Sequence, residues 1–323
     1  MQGLAENKGT KSSPSTVVVL GPLFLDIVLG PMNTLPKPGQ ELWVENCAFI
    51  PGGSANQAIA ASRLGLNAKI CAYLGKDSPG NMVKKMLEDE GIDTSSLIHV
   101  PHQSVTVSQS VGHDRAMTTC GTNQAPALDN FSCPEALIAD LRGIMNNRRI
   151  IQKWRESENP PLVIADVGWD DSGKWDLADL EDLSLADYFL PNEDEALHYT
   201  RCDDVKSAAH QLQKSVPNVV ITRGAKGVFA FDGATEISLP AVPVTPIDPT
   251  GAGDTFAAML TWAALKGLPI SEIVSCASLA ASWSVQGLGG SLSAPTHKDL
   301  RTWTKALSLD SRFFLDALAQ GNI

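Results

Sequence analysis

Short apolar runs alternate along the chain with longer stretches in which apolar residues recur at helical spacing. The apolar runs are rich in β-branched residues and predict buried strands of a parallel sheet at residues 16–20, 68–74, 162–166, 188–190, 219–222 and 227–231. The longer stretches predict helices at residues 55–64, 80–90, 134–145, 205–214, 255–266 and 270–284. The alternation therefore predicts an α/β fold, a doubly wound and mostly parallel sheet with helices on both faces.

Two segments depart from this alternation of predicted strands and helices. Residues 41–50 and 104–120 partly alternate apolar and polar positions, the second around a polar turn at 112–115, which predicts antiparallel strands with one solvent-facing side. Inserted strands that are too few to close their own core are well placed to cover a site. We expect a small β-sheet lid from about residues 37–50 and 100–122, with an ordinary antiparallel edge extension as the alternative.

The length of 323 residues leaves room for one large domain of this kind. Residues 1–15 are polar and lack the apolar segment of a secretory signal, so they predict a disordered tail. We expect one α/β domain over residues 16–310, with the lid strands inserted into it, and a C-terminal helix or tail over residues 311–323.

Net charge and the cysteine pattern limit the classes of molecule that the protein is expected to bind and the compartment in which it is expected to lie. The formal charge is −11, from 25 basic and 36 acidic residues, so the average field repels nucleic-acid backbones and anionic lipid surfaces. The six cysteines contain no CxxC pair, which is typical of a reducing compartment, and no apolar stretch reaches membrane-spanning length. We expect a cytoplasmic protein with neither nucleic-acid nor membrane partners.

The strongest chemical signal is the segment DPTGAGD at residues 248–254, which runs directly into a helix-like stretch. Small residues at a helix start let backbone N–H groups converge on an anion, so this segment suits a phosphate group. Asp254 would lie in the first turn, where a carboxylate is placed to accept a proton from a hydroxyl. The alternative is that Asp254 is only an electrostatic cap of the helix.

A second signal is the segment PGGSAN at residues 51–56. Its two glycines allow close backbone approach, and Asn56 offers both a donor and an acceptor to a polyhydroxylated ligand. Asp26 stands in an otherwise apolar segment and needs a polar partner, which sugar hydroxyls or backbone donors would supply. By itself the glycine segment is equally consistent with a turn followed by a helix cap.

Taken in order, these segments resemble the ribokinase-like (PfkB) family of carbohydrate kinases, from about residue 17 to about residue 300. The motifs that carry the resemblance are Gly21 with Asp26, PKPG at 36–39, GGSAN at 52–56, RLG at 63–65, GKD at 75–77, GID at 91–93, NEDE at 192–195, TRGAKG at 222–227 and GAGD at 251–254. Two prolines depart from the family pattern: Pro51 replaces a usual glycine, and Pro249 removes one N–H donor. The strand end at 166–169 also lacks an arginine found in many relatives, which argues against an acidic sugar substrate.

The resemblance implies transfer of the γ-phosphoryl group of ATP to a hydroxyl, most often a primary alcohol, of a small carbohydrate. Asp254 would act as the general base of this reaction. The N–H groups of Gly251, Ala252 and Gly253 would form an anion hole for the transferred group.

The resemblance also implies the residues that bind ligands. Three residues would hold substrate hydroxyls: Asp26, Gly53 and Asn56. Four residues would contact ATP: Asn192, Thr222, Gly224 and Gly227. Glu195 would hold Mg²⁺ through water, because hard cations prefer oxygen ligands. Asp248 would lie near a monovalent cation such as K⁺, which some relatives use.

The identity of the acceptor stays open at this stage. A nucleoside kinase is the rival to a sugar kinase and would need a pocket for a flat base, with Trp43 or Phe49 of the lid as stacking residues. A catalytically idle sugar-binding relative is a further alternative, although the proposed base, the glycines and the Asn-x-x-Glu carboxylate are all present. An apolar outer face on the lid would favour a homodimer through the lid.

Overall fold

The computed structural model of the protein describes residues 16–111, 114–168, 170, 172–287, 289–307 and 309. The segments 1–15 and 311–323, and Gly112 and His113 of the predicted turn, lie outside the described residues. The strands are β1 (Thr16–Leu20), β2 (Leu23–Met32), β3 (Cys47–Gly53), β4 (Asn67–Cys71), β5 (Tyr73–Gly75), β6 (Ile98–Val100), β7 (Ser104–Val111), β8 (Asp114–Cys120), β9 (Ala136–Asp140), β10 (Leu162–Asp166), β11 (Tyr188–Phe189), β12 (Asn218–Thr222), β13 (Val228–Phe231) and β14 (Glu236–Leu239). The α-helices are α1 (Ser54–Arg63), α2 (Ser78–Asp89), α3 (Leu141–Asn146), α4 (Arg148–Arg155), α5 (Glu193–Thr200), α6 (Val205–Leu212), α7 (Ala252–Leu265), α8 (Ile270–Ser284) and α9 (His297–Thr304).

The main sheet has, within the described residues, eight strands in the order β14-β13-β12-β11-β10-β9-β1-β4. All neighbouring pairs from β12 to β4 are parallel, and β13 and β14 add an antiparallel edge. Val17 and Val19 of β1 pack with α1, α7 and α8 on one face, whereas Val18 and Leu20 pack with α3 to α6 on the other. Because alternate residues of a strand point to opposite faces, a strand buried on both sides reads as an unbroken apolar run. The predicted doubly wound fold is confirmed.

A smaller sheet contains four strands of the described chain, in the order β3-β2-β7-β8. The hairpin predicted at 104–120 is confirmed as β7 and β8, which pair antiparallel. The strand predicted at 41–50 is only partly right, because β3 begins at Cys47 and the residues before it are irregular. Trp43 therefore lies outside any strand and is 84% exposed. The sequence analysis missed β2, whose apolar run contains too few polar residues to show alternation.

The helix predicted at 134–145 is wrong. Residues Ala136–Asp140 form β9, a buried strand between β1 and β10, and α3 begins only after it. Asp140 caps α3, since its Oδ1 accepts a hydrogen bond of 2.5 Å from the N–H of Gly143. A short apolar run of this kind fits a buried strand as well as a helix, so periodicity alone misassigned it. The other predicted helices are confirmed to within one turn.

Candidate active site

The segment DPTGAGD forms the start of α7, as the sequence predicted. Gly251 is the N-cap and has a left-handed φ of 72°, a conformation that glycine adopts without the cost of a Cβ. The N–H of Ala252 donates a hydrogen bond of 3.3 Å to the carbonyl of Pro249. Within the described residues, the N–H groups of Gly251 and Gly253 have no such partner. Two of the three predicted donors are therefore available to an anion, and Asp254 lies half-buried in the same helical turn.

Asp248 joins this helix start to a second loop. Its Oδ1 accepts a hydrogen bond from the N–H of Thr250 at 2.9 Å, and its Oδ2 accepts one from the N–H of Gly289 at 3.1 Å. The next residue, Gly290, lies beside Asn56, because a Cβ built on it would be 3.2 Å from Oδ1 of Asn56. The buried Asp248 carboxylate thus brings the start of α7 close to Asn56. The monovalent cation at this residue stays a prediction.

The residues predicted to bind the acceptor lie where β2 and β3 meet the start of α1. Asp26 on β2 lies against Gly52 on β3, and a methyl group on Gly52 would overlap the Asp26 carboxylate. Gly53 is the N-cap of α1 with a φ of 64°, and Asn56 is buried in the first turn of this helix. The structure therefore brings Asp26, Gly53 and Asn56 together as predicted. It adds a contact of Gly52 with Asp26. Sequence analysis named Gly52 only as one of two glycines that allow close backbone approach, because this contact crosses between strands.

Two acidic residues end neighbouring strands of the main sheet. Asp140 ends β9 and Asp166 ends β10, and the two are paired in register. The side-chain amide of Gln57, which follows Asn56 on α1, donates a hydrogen bond of 3.0 Å to Oδ2 of Asp166. Burial, together with the nearby charge of Asp140, raises the pKa of Asp166 to about 6. Sequence analysis assigned no role to Asp140 or Gln57. One general rule could have identified Asp140 from the sequence: binding sites of parallel sheets lie at the carboxyl ends of the strands.

Asn192, the first of the residues predicted to contact ATP, ends the loop after β11 and forms a β-bridge with Thr222, another of them, at the end of β12. Asn192 and Glu195 form a capping box at the start of α5. Oδ1 of Asn192 accepts from the N–H of Glu195 at 2.9 Å, and Oε2 of Glu195 accepts from the N–H of Asn192 at 2.8 Å. Burial, with the charges of Asp166 and Asp194, raises the pKa of Glu195 to about 7.

The residues at this point suit a divalent cation. Oε1 of Glu195 has no hydrogen-bond partner among the described residues, since the capping box engages only Oε2. A cation here would offset the repulsion between the carboxylates of Glu195 and Asp166, and carboxylate and amide oxygens are ligands that Mg²⁺ prefers. The described ranges contain no group of three or more His, Cys, Asp or Glu residues arranged to hold a metal ion, at this point or at any other, so a cation here would take its remaining ligands from the nucleotide or from water.

The loop after β12 has two glycines in left-handed conformations. Gly224 has a φ of 52° at the start of a short 3₁₀ helix, and Gly227 has a φ of 93° at its end. A Cβ on Gly227 would overlap the carbonyl of Leu239, so this glycine is required for the close approach of the end of β14. Of the predicted ATP contacts in this segment, Thr222 lies beside Asn192, Gly224 follows two residues later, and Gly227 shapes the loop.

Comparison with known proteins agrees with this geometry. A family model described as pfkB family carbohydrate kinase matches residues 17–297. The ribokinase of Lactococcus lactis subsp. lactis is 27% identical over 309 residues, which cover 91% of this chain and 98% of that protein. The cytidine kinase of Thermococcus kodakarensis is 43% identical over 98 residues, which cover 29% of this chain and 35% of that protein.

Similarity to a solved structure extends over nearly the whole chain. The structure of Arabidopsis thaliana ribokinase complexed with ribose and ATP aligns with a TM-score of 0.72 and 25% identity, covering 92% of this chain and 100% of that one. In the part of the chain that the structure describes, no helix is long and apolar enough to cross a membrane. The chain belongs to the pfkB family of carbohydrate kinases, which are phosphotransferases with an alcohol group as acceptor.

Proposed function

We propose that this protein transfers the γ-phosphoryl group of ATP to a primary hydroxyl of a small carbohydrate. The observation that carries the proposal is the start of α7, where Asp254 shares one helical turn with the N–H groups of Gly251 and Gly253, for which the described part of the chain provides no acceptor. The similarity to ribokinases, one of which has been solved with ribose and ATP, supports the same reaction type.

Each of these residues has a separate role in the proposed reaction. The acceptor oxygen forms a bond to the γ-phosphorus while the bond from that phosphorus to the bridging oxygen of ADP breaks, and ADP leaves. The hydroxyl proton passes to the Asp254 carboxylate, which later releases it to solvent. The N–H groups of Gly251 and Gly253 stabilise the negative charge on the transferred group. Asp26 and Asn56 hold the other hydroxyls of the acceptor and orient it.

The nucleotide and its metal ion occupy the opposite side of the same edge. Asn192, Thr222 and Gly224 contact ATP, and Gly227 fixes the loop that carries two of them. Asn192 and Glu195 would hold Mg²⁺, Glu195 through water, and the ion would supply positive charge that neutralises the phosphates. This local charge matters because the chain itself carries a formal charge of −11. We also propose K⁺ beside Asp248 as an activating ion.

An acceptor screen tests this function. ADP release would be measured with Mg·ATP across pentoses, hexoses, sugar phosphates and nucleosides, in potassium and in sodium buffers. We expect ADP release that depends on an acceptor, stops on chelation of Mg²⁺ and returns when Mg²⁺ is added in excess. ATP binding without ADP release across the whole panel would contradict the proposed function and favour an idle binding protein.

A nucleoside kinase is the second candidate function. The 43% identity to part of a cytidine kinase favours it. The two residues that we expected to stack on a base do not form the wall of a base pocket, because Trp43 is 84% exposed and Phe49 is 44% exposed. A base would therefore need another pocket, and the nucleosides in the screen decide between the two candidates.

We propose that the small sheet covers the acceptor and also joins two copies of the chain. Large apolar side chains are exposed on this sheet and in the segment before β3: Met117 on β8 is 56% exposed and Trp43 is 84% exposed. Clusters of exposed apolar side chains mark interaction surfaces. Sedimentation should give about twice the chain mass of 34.4 kDa. A Trp43→Glu, Met117→Glu double variant should sediment as a monomer. A wild-type monomer at micromolar concentration would contradict the dimer.

We place the protein in the cytoplasm, where ATP is available and free cysteines stay reduced.

A further inference from the structure

A cavity of about 310 Å³ opens beside the acceptor residues and has no part in the reaction described above. Its walls include the apolar side chains of Phe24, Leu141, Met145 and Val167, and its polar groups include Asp140. Binding pockets for small molecules have volumes of about 300–1,000 Å³ and combine apolar walls with a few polar groups. The cavity therefore has the size and the lining of a ligand site.

The cavity adjoins the predicted acceptor residues through Phe24 of β2, which lines it. Phe24 and Asp26 are two residues apart on this strand, so their side chains point to the same face, about 6.6–6.8 Å apart along it. Phe24 also lies against Gly53, since a Cβ on that glycine would be 2.9 Å from Cδ2 of the phenyl ring. An acceptor held by Asp26 thus has its next group within reach of the Phe24 ring.

Asp140 presents one unused oxygen to this cavity. Its Oδ1 caps α3 by accepting from the N–H of Gly143, whereas its Oδ2 has no donor among the described residues. A Cβ on Gly168 would lie 3.1 Å from this Oδ2, so the glycine keeps the oxygen accessible. A second acid in the lining, Asp170, is already occupied, because both of its oxygens accept from backbone N–H groups of its own loop.

These observations describe a pocket with an aromatic wall and, at the end of β9, a carboxylate oxygen that accepts no hydrogen bond from the described residues. The other polar side chains of the lining are Asn123, Arg142, Asp170, Asp179 and Tyr199. A sugar alone would leave the apolar walls in contact with water, whereas a flat ring would cover them and stack on Phe24. A ring that carries an amino group would also donate to Oδ2 of Asp140 and satisfy it.

We propose that the acceptor is a nucleoside whose base carries an exocyclic amino group, with the sugar at Asp26 and the base between Phe24 and Oδ2 of Asp140. This inference rests on the phosphoryl transfer proposed above and selects the second candidate, a nucleoside kinase, over a kinase of a free sugar. Cytosine-type and adenine-type bases share the required chemistry, and the comparison of two nucleoside pairs distinguishes them.

The experiment measures kcat/KM of the full chain with Mg·ATP for ribose, for the pair cytidine and uridine, and for the pair adenosine and inosine. Within each pair the amino group is exchanged for a carbonyl. We expect the amino nucleoside of one pair to exceed both its carbonyl partner and ribose by at least about tenfold, the cost of leaving a buried polar group unpaired.

Asp140→Asn tests the assigned atom. The Asn carbonyl would keep the hydrogen bond from Gly143, so its amide N–H₂ would face the cavity and present a donor in place of an acceptor. We expect the preference within the pair to reverse toward uridine or inosine. Because the readout is a ratio of two substrates, a general loss of activity does not affect it.

Phe24→Leu provides a second variant in case the first does not fold, with Phe49→Leu on the neighbouring strand as the matched control. Phe24→Leu should lower the ratio of nucleoside to ribose activity, and Phe49→Leu should leave it unchanged. A wild type that favours ribose, or an Asp140→Asn variant with an unaltered pair ratio, would overturn this inference and leave the kinase function standing. No ADP release with any of these five acceptors would overturn this inference, whereas the proposed function would be overturned only by ATP binding without ADP release across the whole panel of the acceptor screen.

Discussion

Asp254→Asn is expected to lower kcat by about 10²–10⁴-fold, the contribution of a positioned general base. Asn is nearly the same size and preserves the start of α7, but it cannot take up the proton of the acceptor hydroxyl. ATP and the acceptor should therefore still bind. Single-turnover assays would measure the loss of the chemical step, and calorimetric titration with ATP would show that the nucleotide site is intact.

The competing interpretation of Asp254 is a helix cap, and another helix of the chain provides the matched control. Asp299 lies in the first turn of α9, where its Oδ2 accepts a hydrogen bond of 2.9 Å from the N–H of Thr296. Asp299→Asn should lower the melting temperature with little effect on kcat. If Asp254→Asn behaves like Asp299→Asn, with turnover within about tenfold of the wild type, the role of Asp254 as base is contradicted.

The features predicted correctly from the sequence are those that local chemistry determines. Gly251 and Asp254 are three residues apart, so the helix start and the position of the carboxylate within it follow from the segment alone. The parallel core was equally predictable, because β1 and β10 are buried on both faces and their sequences are continuously apolar.

The features that were missed depend on contacts between distant segments. The contact of Gly52 with Asp26 exists only because β3 pairs with β2, and β2 shows no alternation in its sequence. Asp140 was placed inside a predicted helix, and its position beside Asp166 follows from the pairing of β9 with β10. Both errors concern strands whose identity is decided by burial in the folded chain, where tertiary context overrides local preference.

Gly52→Ala is expected to lower kcat/KM for the acceptor by about 100-fold and to leave the affinity for ATP unchanged. The added methyl group would overlap the Asp26 carboxylate and push it away from the acceptor. Losing a hydrogen bond to a charged group, together with the strain of overpacking, costs on the order of 3 kcal/mol, which corresponds to about 100-fold. Steady-state kinetics with varied acceptor and then with varied ATP would separate the two effects.

Gly21→Ala is the matched control for this substitution. Both glycines lie outside the left-handed region, so alanine fits either backbone and only the surroundings of the methyl group differ. At Gly21 the new Cβ would meet Cβ of Ser54 at 3.4 Å, an ordinary contact. Gly21→Ala should therefore retain acceptor kinetics close to those of the wild type. An equal loss of acceptor activity in both variants would mean that the effect is general to this end of the sheet. It would contradict the role of Gly52 in keeping space for the Asp26 carboxylate.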